Sequence, residues 1–181
     1  MYAKPLVLFY LLSWLLEYPA HNAQPGQYQQ AVKLLPAGEI HDLLALHGKY
    51  LTAVRHEQQA AAYVAAFDFN AKTSLWLSAG LYQEERRRGR VLAELKDLYE
   101  LAGVDMATSE LPDYLPLVLE FIAVADYHTG EAVLAKLRLG LEKLLAGVKE
   151  DNSPYLPVIQ ACVLATRPEA YRLQVQEGIR L

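Results

Sequence analysis

The residues best placed to do chemistry lie in the stretch ELPDYLPLVLEF, which spans residues 110–121. Its two acids, Glu110 and Asp113, could work as a general acid and base if a cleft raised the pKa of one of them. The same acidic, proline-fixed stretch beside an apolar helix could instead form the edge of a peptide groove. The simplest alternative is a capped core helix, with Asp113 as its N-cap and Pro116 in its first turn.

Other side chains with chemical potential do not form a recognisable site. The five histidines are scattered, and His41 and His47 are six residues apart, so they do not share a helical face as an i, i+4 metal pair would. The single cysteine, Cys162, lies in an apolar run and is expected in the core. No GxGxxG or GxxxxGK[ST] phosphate loop occurs. We therefore expect no catalytic constellation and no cofactor or metal held by this chain.

A cationic run, RRRGR, occupies residues 86–90 directly after two glutamates. Acids stabilise the start of a helix, so Glu84 and Glu85 predict that a helix begins here. The net charge of −4 leaves the molecule without an overall basic field, and we do not expect a nucleic-acid partner. We predict a local salt-bridge network or an anchoring role for one arginine, because guanidinium groups pair well with carboxylates.

The elements that must position these residues are predicted to be helices. The chain has 33 Leu and 25 Ala against 22 Val, Ile and Thr together, which disfavours an all-β fold. Two apolar stripes have a helical period, one over residues 91–102 and one over residues 133–145. A length of 181 residues suits about one domain. We predict an all-α, single-domain bundle of about eight to ten short helices over residues 1–181.

Breaks at Gly and Pro divide this bundle into its helices. Residues 1–16 resemble the start of a signal peptide, but no small-x-small cleavage site follows, and the apolar run is shorter than the ~20 residues that span a bilayer. We predict a first core helix there. Further helices are predicted over residues 28–35, 39–54, 57–66, 71–82 with Asn70 as N-cap, 91–102, beyond Pro116, between Gly130 and Gly147, up to residue 165, and over the tail from 168 to 181.

Four stretches, in this order and spacing, resemble the NarJ-type chaperones. They are LLEYP at 15–19, FDF at 67–69 with SLWL at 74–77, RRRG at 86–89 followed by Leu92, and ELPDYLPLVLEF at 110–121. That family comprises the respiratory nitrate reductase delta subunits, or molybdenum cofactor assembly chaperones, within the TorD-like group of redox-enzyme maturation proteins. The resemblance covers roughly residues 15 to 122 of the chain.

The resemblance implies a TorD-like, all-helical cytoplasmic protein that is not an enzyme and is not part of the finished enzyme. Its partner would be the catalytic (alpha) subunit of nitrate reductase, bound through the N-terminal tail. The chaperone would hold this apoenzyme for insertion of the bis-molybdopterin guanine dinucleotide cofactor and delay its attachment to the membrane. It would be a monomer or weak homodimer with no stable membrane insertion.

The resemblance also implies which residues bind the partner. The family's acid-x-Pro-Asp pattern falls on Glu110, Pro112 and Asp113, and we add Tyr114. Trp76, Arg86 and Arg88 lie in the other matched stretches and join the candidate partner-binding residues. In the family's Gly-Asp-x-Arg-x-Arg-Gly stretch this chain has Gln83 and Glu84 in the first two positions, so a tight glycine turn is not expected there.

The residues themselves also favour a binding protein. An acidic helical bundle suits an amphipathic basic helix, for which apolar anchors supply affinity and acids supply register. Five apolar residues are candidates for the groove, although each is expected in the core before the groove: Trp76, Leu77, Tyr114, Phe121 and Tyr127. Glu110 and Asp113 are then expected to be surface charges that contribute little to folding.

Three alternatives to this function stay open. The chain could be a chaperone for a related molybdoenzyme. It could be a small helical enzyme that uses the acid pair Glu110 and Asp113. It could also be a structural subunit that stays in the membrane complex.

Overall fold

The structure, a computed structural model, describes residues 6–19, 25–82, 84–105 and 109–178. Over these residues the chain forms nine α-helices, one short 3-10 helix and no strand, so the all-α prediction is confirmed. The helices are α1 (Val7–Leu15), α2 (Pro25–Lys33), α3 (Glu39–Ala53), α4 (His56–Phe67), α5 (Glu85–Leu101), α6 (Leu115–Val124), α7 (Tyr127–Glu150), α8 (Leu156–Ala165) and α9 (Pro168–Glu177). The 3-10 helix is Ala71–Thr73.

Helix α1 lies inside the bundle, as predicted for the part of it that the structure describes. It packs chiefly against α6, and the amide of Leu6 donates to the carbonyl of Ala123 at 2.9 Å. Phe9 and Leu12 are fully buried. Each such side chain contributes about 1.5–3 kcal/mol through the hydrophobic effect, which explains why both helices are apolar nearly all round. Residues 1–5 of the predicted helix lie outside the described residues.

Helix α7 provides a surface on which another segment lies unusually close. A Cβ at Gly140 would be 2.2 Å from the carbonyl oxygen of Leu77, and a Cβ at Gly147 would be 2.8 Å from Cγ2 of Thr73. Glycine at these two positions therefore lets residues 72–80 pack directly on the helix. This contact fixes the segment that carries Trp76.

The prediction of a helix over residues 71–82 is wrong. Asn70 does cap a helical start, since its side chain accepts from the amide of Lys72 at 3.0 Å, but only the single turn Ala71–Thr73 follows. The chain is then extended, because the backbone of Leu75 and Leu77 bonds to residues 113–115 instead of to its own preceding turn. A long-range pairing therefore overrides the local helix propensity.

Two helix starts also differ from prediction. The N-cap residue of α6 is Tyr114, with no side-chain cap, and the expected N-cap Asp113 is bonded elsewhere; Pro116 does lie in the first turn. Helix α7 begins before Gly130, because Asp126 caps it by accepting from the amides of His128 and Thr129. It also continues through Gly147 to Glu150. Helix α5 begins at Glu85, as the two glutamates predict.

Candidate functional site

Two extended segments meet beside α7 and present an aromatic pair. The amide of Leu77 donates to the carbonyl of Asp113 at 3.0 Å, and the amide of Leu115 donates to that of Leu75 at 2.9 Å. These bonds flank Trp76 and Tyr114, which face each other as a non-hydrogen-bonded antiparallel pair. Their side chains therefore lie on one face, with ring centroids 5.3 Å apart. The alternate residues point inward and are buried, namely Leu75, Leu77, Asp113 and Leu115.

Asp113 is fully buried, at 0% exposure, so the expectation of a surface charge is wrong for this residue. Its Oδ2 accepts from the backbone amide of Ser78 at 2.9 Å and from the hydroxyl of Ser78 at 2.5 Å. The guanidinium of Arg88 completes the group, with Nη2 3.6 Å from Oδ2 and Nε donating to the Ser78 hydroxyl at 3.1 Å. The predicted anchoring role for one arginine is confirmed for Arg88.

The proline of the same loop is held from the interior. The hydroxyl of Tyr99 donates to the carbonyl of Pro112 at 2.8 Å, and its ring stacks on Phe121 with centroids 4.2 Å apart. Burial raises the pKa of Tyr99, and the Asp113 carboxylate adds to the rise. Pro112 is itself buried, so it shapes the loop rather than offering a contact surface.

The aromatic pair continues into a larger group that we call the aromatic strip, made of Tyr18, Tyr63, Tyr114 and Trp76. Tyr63 is buried and its hydroxyl donates to the carbonyl of Leu16 at 3.0 Å. Burial raises the pKa of Tyr63, and the neighbouring Tyr114 adds to the rise. The ring of Tyr18, 56% exposed, packs edge-on against Tyr63 at 5.5 Å.

Carboxylates lie around this strip, and we call the set the acidic rim, made of Glu17, Asp68, Glu110 and Glu120. Burial raises the pKa of Tyr114, and the charges of Glu110, Glu17 and Asp68 raise it further. Burial also raises the pKa of Glu17, with a second contribution from Glu120. Within the part of the chain that the structure describes, Glu17, Asp68 and Glu120 form no ion pair.

The remaining predicted residues fall in different environments. Arg86 is exposed on the first turn of α5 and has no ion-pair partner among the described residues. Leu77 and Phe121 are core residues. Tyr127 is half-buried at the start of α7, where it stacks on Tyr171 with centroids 5.7 Å apart. The structure therefore brings Trp76 and Arg88 to the loop that carries Glu110 and Tyr114. The other predicted binding and groove residues are buried or lie elsewhere on the surface.

Sequence reasoning missed several residues of this region. Glu17, Tyr18 and Asp68 lie in the matched stretches LLEYP and FDF but were not assigned to partner binding, and Tyr63 lies in none of them. All four reach the site from distant parts of the chain, which no local spacing reveals. Ser78 follows the apolar run Leu-Trp-Leu at 75–77, which lacks the alternation of polar and apolar residues that would indicate an extended segment. Phe69, next to Asp68, is 85% exposed, the most exposed of the large apolar side chains that the structure describes.

A second apolar surface lies between α1 and α2. It is a groove of about 230 Å³ lined by Val7, Tyr10, Leu11, Trp14, Gln27, Tyr28 and Ala31. Trp14 stacks on Tyr28 there, with ring centroids 6.2 Å apart, and Tyr10 is 48% exposed. None of these lining residues carries a charge, which distinguishes the groove from the aromatic strip.

Neither metal nor membrane chemistry is evident in the described ranges. They contain no group of three or more His, Cys, Asp and Glu side chains that could hold a metal ion. They also contain no helix long and apolar enough to cross a membrane. Cys162 is fully buried, as predicted, and burial raises the pKa of its thiol.

Comparison with known proteins places this sequence in a family. A family model described as nitrate reductase delta subunit matches residues 35–161, which include Trp76, both candidate arginines and the loop from Glu110 to Tyr114. The chain belongs to the nitrate reductase delta subunit family. The resemblance to NarJ-type chaperones is thereby confirmed.

Individual relatives of this chain also carry names that refer to nitrate reductase. It is 28% identical over 176 residues to a probable nitrate reductase molybdenum cofactor assembly chaperone NarJ of Bacillus subtilis (strain 168), an alignment that covers 96% of each chain. It is 35% identical over 152 residues to the nitrate reductase molybdenum cofactor assembly chaperone NarJ of Escherichia coli (strain K12), covering 80% of this chain and 63% of that one. It is 29% identical to the nitrate reductase-like protein NarX of Mycobacterium tuberculosis (strain ATCC 25618 / H37Rv), where 86% of this chain aligns with 24% of the longer protein.

Proposed function

We propose that this chain is an assembly chaperone for the catalytic subunit of a respiratory nitrate reductase. It binds the N-terminal tail of that subunit and holds the apoenzyme for insertion of the molybdenum cofactor before membrane attachment. It acts in the cytoplasm as a monomer or weak homodimer and is not an enzyme. Family membership supports this proposal, together with relatives named as nitrate reductase molybdenum cofactor assembly chaperones.

The observation that carries the binding site is the Trp76 and Tyr114 pair beside the acidic rim. Half-exposed aromatic rings offer a large apolar contact area together with polar edges, and such residues are frequent hot spots of interfaces. Carboxylates such as Glu17 and Glu120, which form no ion pair within the described ranges, favour a partner that brings positive charge. An amphipathic helical tail with basic residues has both properties.

The enzyme alternative receives no support from Asp113. A general acid or base must reach its substrate within hydrogen-bond distance, and this carboxylate is fully buried beneath Ser78 and Arg88. A chaperone for a related molybdoenzyme would use the same surface, and peptides from different clients distinguish the two. A permanent structural subunit would co-purify with the mature holoenzyme, whereas an assembly chaperone should be absent from the purified holoenzyme.

The test is calorimetric titration with a synthetic peptide of about 15–30 residues from the N-terminus of a nitrate reductase catalytic subunit, a length that suits a helix in a groove. Wild type is compared with Trp76→Ala and with Tyr10→Ala, which removes an exposed aromatic side chain from the uncharged groove. We expect micromolar or tighter binding that weakens about tenfold or more in Trp76→Ala and is unchanged in Tyr10→Ala. Absence of binding by wild type would contradict the proposed function.

A further inference from the structure

We propose that Ser78, Asp113 and Arg88 are positioning residues for the peptide surface. Their buried network fixes the register in which Trp76 and Tyr114 face outward together. We call these three residues the latch. Its biological consequence rests on the proposed function, whereas its effect on the two aromatic rings concerns this chain alone and is measurable without a partner.

The pairing that presents the two rings needs a restraint of this kind. It is an isolated bridge with two backbone hydrogen bonds, and the described residues form no strand beside it. Because side chains alternate in extended chains, a slip of one residue would turn Leu75 or Leu77 outward and Trp76 inward. Two bonds alone specify the register weakly, and an adjacent contact must distinguish the correct residue from its neighbour.

Asp113 provides that contact by bonding to two consecutive residues. Its carbonyl accepts from the amide of Leu77, and its carboxylate accepts from both the amide and the hydroxyl of Ser78. A shift by one residue would break all three bonds at once. The position of the serine hydroxyl next to the bridge therefore specifies which residue faces Tyr114.

Arg88 connects this latch to helix α5. Its Nε donates to the Ser78 hydroxyl at 3.1 Å, and its Nη2 lies 3.6 Å from the Asp113 carboxylate, while its side chain is 29% exposed. A buried carboxylate is costly unless positive charge and hydrogen bonds compensate it. The neighbouring Arg87 is exposed and has no ion-pair partner among the described residues, so it serves as a matched control.

The latch differs from a general stabilising contact in what it touches. Asp113 directly precedes Tyr114, and Ser78 lies two residues after Trp76, so both act on the strip from beneath. Leu75, Leu77 and Leu115 beside the bridge belong to the apolar core, but most of that core lies outside the latch, in contacts such as those between α1 and α6. Loss of the Ser78 hydroxyl should therefore change the environment of Trp76 at temperatures where the helices remain folded.

The experiment uses the full chain with Trp14→Phe, which leaves Trp76 as its single tryptophan. In this background we compare Ser78→Ala, Arg88→Gln, Asp113→Asn, the double variant Ser78→Ala with Arg88→Gln, and the control Arg87→Gln. Measurements are far-ultraviolet circular dichroism, Trp76 emission and acrylamide quenching without peptide, and calorimetric affinity for the nitrate reductase tail peptide.

We expect Ser78→Ala and Arg88→Gln to keep their helical circular dichroism signal but to shift the emission of Trp76 and increase its quenching. Each should also weaken peptide binding about tenfold. The control Arg87→Gln should match wild type in all three measurements. The double variant should lose less than the product of the two single effects, because both remove the same network. Unchanged Trp76 emission in folded Ser78→Ala would overturn the proposal, even if Asp113→Asn fails to fold. Failure of wild type to bind the peptide would instead remove the proposed function, with the fluorescence result still deciding the latch.

Discussion

The amide and the hydroxyl of Ser78 both donate to one carboxylate oxygen of Asp113, at 2.9 and 2.5 Å. A residue that the sequence marks as an acid of a binding loop is therefore an interior anchor of that loop. The residue that follows it, Tyr114, is half-exposed and faces Trp76. In this structure the acid determines where the aromatic residues lie, and other carboxylates surround them.

Replacement of Asp113 by alanine should therefore lower the stability of the whole chain. It removes two hydrogen bonds and leaves the hydroxyl of Ser78 and the charge of Arg88 without their buried partner. We expect the free energy of unfolding to fall by about 2–4 kcal/mol, measured by urea denaturation. As a control, Glu142→Ala removes an exposed acid in the middle of α7 and should change the free energy of unfolding by less than about 0.5 kcal/mol. A loss of similar size in both variants would contradict the anchoring role.

Two glycines should respond to alanine in opposite directions. At Gly140 the new Cβ would lie 2.2 Å from the carbonyl oxygen of Leu77, so the segment that carries Trp76 must move. We expect a loss of stability of about 1–3 kcal/mol, as for other overpacked sites. At Gly89, in α5, nothing lies within 4 Å of the added methyl group, and alanine should stabilise the helix by about 0.5–1 kcal/mol. Thermal or urea unfolding of Gly140→Ala and Gly89→Ala measures whether the first is less stable and the second more stable than wild type.

His47 predicts a pH dependence of stability. Its ring is buried among Tyr50 and Tyr155, and Nδ1 bonds to the carbonyl of Pro154 at 3.0 Å, so the neutral ring carries its proton there. Burial lowers the pKa of His47 from 6.5 to about 4, with the Pro154 bond as a smaller opposing effect. Between these values the unfolded chain binds more protons than the folded chain. The free energy of unfolding should therefore fall as the pH drops from 6.5 to 4, by about 3 kcal/mol at most.

The matched variant for this prediction is His47→Gln, which keeps a donor for Pro154 and cannot become charged in this range. Urea unfolding of both proteins at pH 7, 6, 5 and 4 gives the difference curve. The wild type should lose more stability than the variant over this window, and the two should run parallel above pH 7. Parallel curves throughout would show that His47 titrates alike in both states.

The acidic rim predicts how client binding depends on salt. The exposed carboxylates of Glu17 and Asp68, which form no ion pair with another described residue, attract a basic peptide through screened interactions that weaken as ionic strength rises. The variant Glu17→Gln with Asp68→Asn should bind the tail peptide more weakly at low salt and show a shallower salt dependence. Glu142→Gln with Glu169→Gln removes two exposed acids from α7 and α9 and should behave as wild type. Equal salt dependence in all three proteins would exclude the rim from binding.

The helices were predictable where their apolar residues follow one clear period. The stripe over residues 133–145 is buried in α7 from Val133 to Leu144, as expected. In the stripe over residues 91–102, Leu95 is buried as predicted, whereas Leu101 is 78% exposed at the end of α5. Periodicity shows that a helix forms, but how far its face stays covered depends on neighbours that local sequence does not specify.

The candidate site was predictable only in part, for a physical reason. Trp76, Glu110 and Tyr114 were identified, but the helix predicted over residues 71–82 does not form, because its backbone pairs with a loop 35 or more residues away. Asp113 has the side chain of a good N-cap and is instead buried, since Ser78 offers it two donors. Tyr18 and Glu17 join the site through tertiary packing, which has no local pattern.

The most direct test of the central claim uses the two tryptophans as reporters of two surfaces. In a nitrogen-15 labelled chain, the indole N–H of Trp76 reports on the aromatic strip and that of Trp14 on the groove between α1 and α2. Titration with the N-terminal peptide of a nitrate reductase catalytic subunit should shift the Trp76 signal and leave the Trp14 signal in place. A shift confined to Trp14, or no shift of either signal at saturating peptide, would contradict the account.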